Sequence, residues 1–556
     1  MDKWKWYSRP LGGYRTRALF CLNKKFLMNG FFLNQKVGKT RRGGKAAKKG
    51  TMENTRRAEL GTQWGTDLTP VGDSSKMTEA CSLNPDFPYT EEPMSKSKSN
   101  RREFLGQCSL TIGACALMSS GGLMAASASA NDAVNAEQIH LDAVNPEKQP
   151  EVGTPWRAWK EGEWDMHAIF TGRGECTFHI FPDGTSMLLD AGDFSYEKSV
   201  KQLPDDSRRS GEWVTRYILR VNPAGKHVDY VMLSHFHSDH GGEETKGAEK
   251  TEGREPNYTL SGIPQVGETV KFDIGFDRGY PDYATPRVVN ESECTNFRRF
   301  TEWKVKQGEL TMEEFKVGAL DQIKLRKKPD AYDFHVRNLS RNGTLWVGEN
   351  DADKVPGVVL TDEAAKTVDF FKLNPKNAEQ NWINENSLSL GMRMDYGPFR
   401  FYTAGDLSWP LKGANDQPVQ LEGLVGKVTG PVDVCKVNHH AYKDAMVPEF
   451  VREVRPRVFI QHVWDQLHIQ DNTMTNMAST ELYAGERIVC PTCFPPERAE
   501  LYKDAPWLPV VAKHGGHVIV RVFDGGRQFK VYYLTANDES MTIKAVYGPF
   551  TAKRAG

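Results

Sequence analysis

The sequence predicts an α/β fold built as one large domain with decorations, and three observations carry that expectation. First, the apolar run Tyr230-Val231-Met232-Leu233 reads as a buried strand, and it is followed at once by His235-Phe-His237-Ser-Asp239-His240. Second, further strand-like runs recur downstream (Phe399 to Thr403, Val432 to Val437, Arg457 to Gln461), whereas Asn296 to Lys306 reads as helical. Third, about 425 residues follow the atypical N-terminal region, which is ample for a sizeable core.

Taken in order, the N-terminal third is a different kind of text. Residues 1–57 carry sixteen Lys/Arg against two acids and show no sustained helical or strand period, so they read as a basic tail. Ser99-Asn-Arg101-Arg102-Glu-Phe104-Leu105 closely resembles the twin-arginine export signal. A modestly apolar stretch to Met124 follows, then Ala126-Ser-Ala-Ser-Ala130, small residues suited to a signal peptidase. Gln107, Ser109, Ser119 and Ser120 break that stretch, which argues against a permanent membrane span. Ile112-Gly-Ala-Cys115 also resembles a lipoprotein cleavage box, but the small-residue site beyond it is better placed. Met94 would be a natural start for such a signal, so residues 1–93 are expected to be a spurious or disordered extension. The expected organisation is therefore a signal over 94–130, a linker over 131–159, a catalytic domain over 160–475 and a C-terminal β extension over 476–556.

The chain balances at 72 basic and 72 acidic residues. Residues 1–130 hold 21 Lys/Arg and 10 Asp/Glu, which leaves 51 basic and 62 acidic residues beyond them, a net charge of −11. An acidic body lacks the long-range field that draws polyanions, so no stable nucleic-acid partner is expected.

Crowding three imidazoles and a carboxylate into six residues has a physical reason in metal binding. The strand end can aim His235 and His237 at one cation, and Asp239 and His240 can reach a second. The pattern HxHxDH resembles the signature of the metallo-β-lactamase-fold hydrolases, and that resemblance implies a four-layer αββα sandwich with its site at one edge. It also implies that Asp190, in Ser186-Met-Leu-Leu-Asp190-Ala-Gly192, orients the histidine loop. Gly405-Asp406 resembles the family's Gly-Asp motif, which makes Asp406 the carboxylate that bridges two metals. Val432-Asp-Val-Cys-Lys-Val437 then leads into Asn438-His439-His440, and one of these histidines should complete the second site. His439, first after the strand, is the expected ligand, with His440 the alternative.

Two further stretches narrow the resemblance. Phe170-Thr-Gly172-Arg-Gly174-Glu-Cys, running on to Gly184, looks like the opening hairpin of the hydrolase domain of bacterial DNA-uptake channels and of phosphorylcholine esterases. Asn384-Glu-Asn386-Ser387-Leu matches the Asn-x-Ser-Leu stretch of the same branch. The chain departs from the wider family in one respect: no histidine stands where the third ligand of the first metal usually comes from. Asn386 or Ser387 occupies that region, and His335 lies some fifty residues too early. Two divalent ions are expected, zinc, or manganese if the first site favours a harder ion. His468 is expected to line the pocket and protonate a leaving group, as a histidine near neutral pKa can. His462 reads as structural, and His514 and His517 as surface residues.

More than 140 residues separate His240 from Asn384. An insertion of this length, about 243–380, should form a lid or wall over the metals, with Asp277-Arg-Gly-Tyr280 facing the pocket. Met312 to Phe315 reads as helical, and Phe334 to Leu339 and Thr344 to Val347 as strands joined at Asn342-Gly343. Runs from His517, Phe529 and Met541 alternate at period two and read as a small β-meander packed on, or extending, the main domain. Cys490-Pro-Thr-Cys493 is expected to close a local disulfide. Together these features predict an exported, periplasmic or extracellular, binuclear metal-dependent hydrolase. A phosphodiesterase or phosphoesterase using a metal-bridging hydroxide, with Asp239 and His468 in catalytic roles, is expected first. A lactonase or carboxylic-ester hydrolase comes second, and a non-catalytic metal- or envelope-binding protein third. Expected partners are a small-molecule or envelope-component substrate and the twin-arginine machinery, with no transmembrane span in the mature form.

Overall fold

Strands whose two faces are both buried build two stacked sheets with helices on their outer faces. The computed structural model describes residues 150–555, apart from 195–199, 245–247, 288, 290 and 349–358. The basic tail, the expected export signal, Cys115 and most of the expected linker lie outside the described residues.

The first sheet begins with β1 (Trp164–Ala168), β2 (Cys176–Ile180), β3 (Ser186–Ala191), β4 (His227–Met232), β5 (Lys271–Phe276) and β6 (Thr311–Met312). The second holds β7 (Phe334–Arg341), β8 (Thr344–Trp346), β9 (Thr367–Asp369), β10 (Gly391–Tyr396) and β11 (Phe399–Thr403). After a small ribbon of β12 (Leu411–Lys412) and β13 (Pro418–Val419), it gains β14 (Val434–Lys436), β15 (Val458–Gln461) and β16 (Ile488–Pro491). The chain then returns to the first sheet with β17 (His517–Phe523), β18 (Gln528–Leu534) and β19 (Ile543–Thr551), so that its order is 19-18-17-1-2-3-4-5-6. The second sheet runs 16-15-14-11-10-7-8-9.

Each sheet is antiparallel on one side and parallel on the other. Strands β3 to β6 are parallel neighbours, as are β11, β14, β15 and β16. Parallel strands end together, so loops after β3 and β4 gather at one edge, and those after β11, β14 and β15 gather at another. The carboxyl ends of parallel strands are where open α/β sheets bind ligands.

Strand β4 shows how the layers form. Tyr230 and Met232 point into the core between the sheets, with Trp164, Phe276, Val336, Phe401 and Val434, while Val231 points the other way. Val231 meets Val214, Ile218, Phe297 and Phe300, from the helices Ser210–Val221 and Glu291–Lys306. Behind the second sheet, Tyr402, Cys435 and Phe459 meet Leu421, Phe450 and Met474 from three other helices. The molecule is thus mixed α/β, two large sheets with helices packed around them. Among the described residues no helix is long and apolar enough to cross a membrane.

Four expectations need correction. Met312 to Phe315 is not helical: Met312 pairs with Gly275 in β6, and irregular chain follows. The stretch 243–380 is not simply a lid, because β5 to β9 build it into both sheets. The stretch 476–556 is not one separate extension: β16 belongs to the second sheet, while the meander extends the first through the pairing of β17 with β1, one of the two arrangements expected. Cys490 and Cys493 are free thiols. The Asn342-Gly343 hairpin appears as expected, with φ of 52° and 67° at the two residues, the left-handed backbone a tight primed turn requires.

Candidate metal centre

The loop after β4 must press against its neighbours before its side chains can converge. Glycines at 174 and 192 allow this. A Cβ at Gly192 would lie 2.0 Å from the Asp239 carbonyl oxygen, and one at Gly174, where φ is 112°, 2.3 Å from it. The same carbonyl accepts the Glu175 N–H at 2.8 Å. Asp190, at the end of β3, then fixes the loop directly: Ser234 N–H and Oγ–H donate to its carboxylate, each at 2.7 Å, and His240 Nδ1 lies 2.8 Å from Oδ2. Holding Nδ1 in this way leaves Nε2 free to bind a cation.

Four donors meet there. His240 Nε2 and His440 Nε2 are 3.3 Å apart, and Asp406 Oδ2 lies 3.2 Å from each. Asp239 Oδ2 lies 3.8 Å from the first nitrogen and 3.6 Å from the second. Donors about 2.1 Å from one ion at tetrahedral angles sit about 3.4 Å from each other, so the spacing suits a zinc-sized cation. Alongside, His235 Nε2 lies 2.9 Å from His237 Nδ1 and 3.7 Å from Asp406 Oδ2. Asp406 belongs to both of two clusters that could hold a metal ion, one of Glu175, His240, Asp406 and His440 and one of His235, His237 and Asp406, with Asp239 beside the first.

The expected ligand His439 is a correction. His440 is the histidine that turns inward, with Nδ1 3.3 Å from Glu175 Oε2. His439 turns the other way: its Nδ1 is 2.7 Å from Asp444 Oδ1 and its Nε2 is 3.2 Å from Asn386 Nδ2, at the edge of the site. Both residues have left-handed backbones, φ 43° and 51°, which separates their side chains.

Asn386 reaches the site, and its Oδ1 is buried without a hydrogen bond. Ser387 does not reach it, since its hydroxyl donates to the Asn384 carbonyl. His335 is exposed beside Asp333 and supplies no third imidazole. His468 is buried against His440 and Trp464, with ring centroids 4.8 and 4.5 Å away, and burial, then His440, holds its pKa well below the usual value. His462 is structural as expected, buried with Nε2 3.2 Å from Thr177 Oγ1. His517 is not a surface residue: it is buried and accepts the Phe170 N–H. Asp277 does not face the pocket either, because Gly279 N–H, Tyr280 N–H and Tyr283 O–H all donate to it in a buried turn.

Sequence reasoning missed Glu175 and Lys436. Lys436 Nζ lies 2.8 Å from Glu175 Oε2, 3.8 Å from Asp406 Oδ1 and 2.7 Å from the Gly405 carbonyl. The available signal was a lysine facing inward on the strand before the histidine pair, a position that is rarely charged without a partner. Electrostatics around the cage favour a cation. Asp190, Glu175 and Asp406 are fully buried and Asp239 is partly so, while Lys436 supplies one fixed positive charge. Burial works against the Asp406 carboxylate, but His240 and His440 outweigh it and hold its pKa well below the usual range. Burial likewise works against a charged His240, and Asp406, Asp239 and Asp190 outweigh it. Glu175 is pushed up by burial despite Lys436. Asp406 Oδ1 and Glu175 Oε1 remain buried without hydrogen bonds. Buried carboxylates that crowd together in this way need compensating positive charge, and the donor set fits divalent ions.

No protein-family model matches the chain, and no curated protein matches it.

Proposed function

We propose that the chain is a binuclear metal-dependent hydrolase acting on phosphodiesters or phosphoesters, folded as a metallo-β-lactamase-like αββα sandwich and exported by the twin-arginine route. The observation that carries this reading is one oxygen, Asp406 Oδ2, lying within 3.2–3.7 Å of His240, His440 and His235. A carboxylate shared in this way suits two ions held a few ångströms apart. The three separate cores, one between the sheets and one outside each, support the layered fold.

Bound there, a pair of divalent ions, zinc or manganese, supplies a water activated near neutral pH and a Lewis acid for a substrate oxygen. The chain's own residues do the rest. His235 and His237 would hold one ion, Asp239, His240 and His440 the other, and Asp406 would serve both. Asp190 holds the Nδ1 side of His240, and Glu175 faces that of His440 at 3.3 Å, which leaves both Nε2 atoms aimed inward. Asn386 and His439 line the open side, where Nδ2 of the first and Nε2 of the second stand 3.2 Å apart and can meet substrate oxygens. His468 stands against His440 with Nδ1 buried and without a hydrogen-bond partner, and its depressed pKa keeps it neutral, which suits it to accept a proton or hold a water rather than to act as the expected acid.

Metal analysis with bis(p-nitrophenyl) phosphate and lactone assays tests this. Two ions and diesterase activity are expected. Lactone turnover alone would move the substrate to carboxylic esters. Bound metal without turnover would favour a binding protein, a reading motivated by Asn386 standing where a third imidazole is usual.

A further inference from the structure

The loop that carries His235 and His237 is gripped from the side away from the metals. Phe236, between the two histidines, is fully buried. Its backbone N–H donates to Glu385 Oε1 at 2.8 Å. Glu385 in turn holds Arg278 through both carboxylate oxygens, with Nε to Oε1 at 2.5 Å and Nη2 to Oε2 at 2.7 Å. The Arg278 guanidinium lies 4.7 Å above the centre of the Phe236 ring. The pair thus holds both the backbone and the ring of one residue. Each side chain of the pair is only 1% exposed, so neither charge has water to fall back on.

Arg278 is itself anchored. Arg341 Nε and Asn342 Nδ2 donate to its carbonyl at 2.8 and 2.7 Å, and its Nη1 donates to Asn342 Oδ1 at 3.2 Å. Glu385 opens the short helical turn Glu385–Leu388 that also presents Asn386 to the site. His235 and Phe236 lie in a bend, where the His237 N–H donates to the His235 carbonyl at 3.1 Å, so fixing the backbone and ring of Phe236 at the apex of this tight turn sets the aim of the histidines on either side. The contacts of Arg278 and Glu385 themselves do not touch Asp190, Glu175 or His440, although the neighbouring Asn386 meets His439. Asp190 and Glu175 lie against His240 and His440, and Asp190 reaches His235 only through Ser234 Oγ.

We infer that Arg278 and Glu385 are positioning residues for the first metal: they set the aim of His235 and His237 and leave the second site unaffected. The inference rests on the two-metal reading above. It predicts a selective loss, whereas a merely structural ion pair would weaken both sites together with the fold.

The test is zinc binding to the full chain, by chelator competition and elemental analysis, with melting temperature recorded in parallel. Wild type should bind two ions. Glu385→Ala should weaken one of them about 10–100-fold, the range typical for residues that support metal ligands, and leave the other within about threefold. Glu385→Gln, which keeps an acceptor for the Phe236 N–H, and Arg278→Lys, which keeps the charge, should each lose less. Should Glu385→Ala fail to fold, Glu385→Gln carries the same test with about tenfold selective weakening. Adding His440→Ala to either variant should then weaken the remaining ion. Equal weakening of both ions, or two ions bound as tightly as in wild type, would overturn the inference. Wild type that binds no zinc would instead remove the two-metal reading on which it stands.

Discussion

Replacing the paired histidines one at a time separates the structural assignment from the one the chain order suggests. His440 contributes one of four donors around the ion shared with Asp239, His240 and Asp406. Four-ligand zinc sites bind with about 10–16 kcal/mol, or about 2.5–4 kcal/mol per donor if shared evenly. At 1.4 kcal/mol per tenfold, His440→Ala should weaken that ion about 10²–10³-fold. His439 is a different case. Its Nδ1 pairs with Asp444, whose side chain is 22% exposed and keeps the Ser408 hydroxyl as a donor. Losing a partner at such a partly solvated pair costs about 1 kcal/mol or less, and His439→Ala should retain both ions. Dialysis against metal-free buffer followed by elemental analysis counts the ions, and titration against a chromophoric chelator gives the affinities. One ion lost from His439→Ala, with two retained by His440→Ala, would refute the geometric argument.

Three other substitutions probe the same centre. Asp406→Ala should abolish hydrolysis of bis(p-nitrophenyl) phosphate and release at least one ion; full retention of either contradicts its shared position. Asp190→Ala removes three contacts, to Ser234 N–H, Ser234 Oγ and His240 Nδ1, and should weaken the ion at His240 about 10–100-fold in a chelator competition. Glu422, fully buried beneath the His440 loop, accepts from Asn438 Nδ2 and from the Met446 and Val447 N–H groups, and burial pushes its pKa up to about 7 despite those donors. A carboxyl whose folded pKa exceeds its unfolded value stabilises the fold fully at low pH and loses that contribution as pH rises through the folded value. From the ordinary 4.5 to about 7 the loss is about 3 kcal/mol. Urea midpoints should therefore fall between pH 5 and 8 for wild type and fall less for Glu422→Gln, and parallel profiles would count against the buried charge.

What could be read from the chain was local. Tyr230 to Leu233 announced a strand buried on both faces, and the six residues ending at His240 announced candidate metal ligands, because each pattern is complete within a few positions. Asp190 and Asp406 were legible for the same reason, as carboxylates at strand ends beside glycine. The meander from His517 was legible through its period of two. Strands β6 and β9 were not, since two or three residues cannot display a period, and a stretch of sheet therefore resembled a lid. The histidine pair was ambiguous because a left-handed turn, not strand alternation, decides which ring faces inward.

The two ligand groups differ in how many supports hold them, and that difference has a consequence for how each fails. The group around His240 draws on Asp190, Glu175, Lys436 and Glu422, four buried residues from separate elements, so truncating one of them leaves three in place. The group around His235 takes its aim from Phe236, gripped by one ion pair from 42 and 149 positions further on, and from Ser234 Oγ, 3.0 Å from His235 Nδ1. The first ion should therefore be the weaker, the first to leave under a chelator, and the one whose identity varies with the metals supplied. Stepwise chelation followed by elemental analysis would show two well-separated losses, and removing His235 should erase the earlier one. A single concerted loss in wild type would mean that Asp406 couples the sites more tightly than their separate supports divide them.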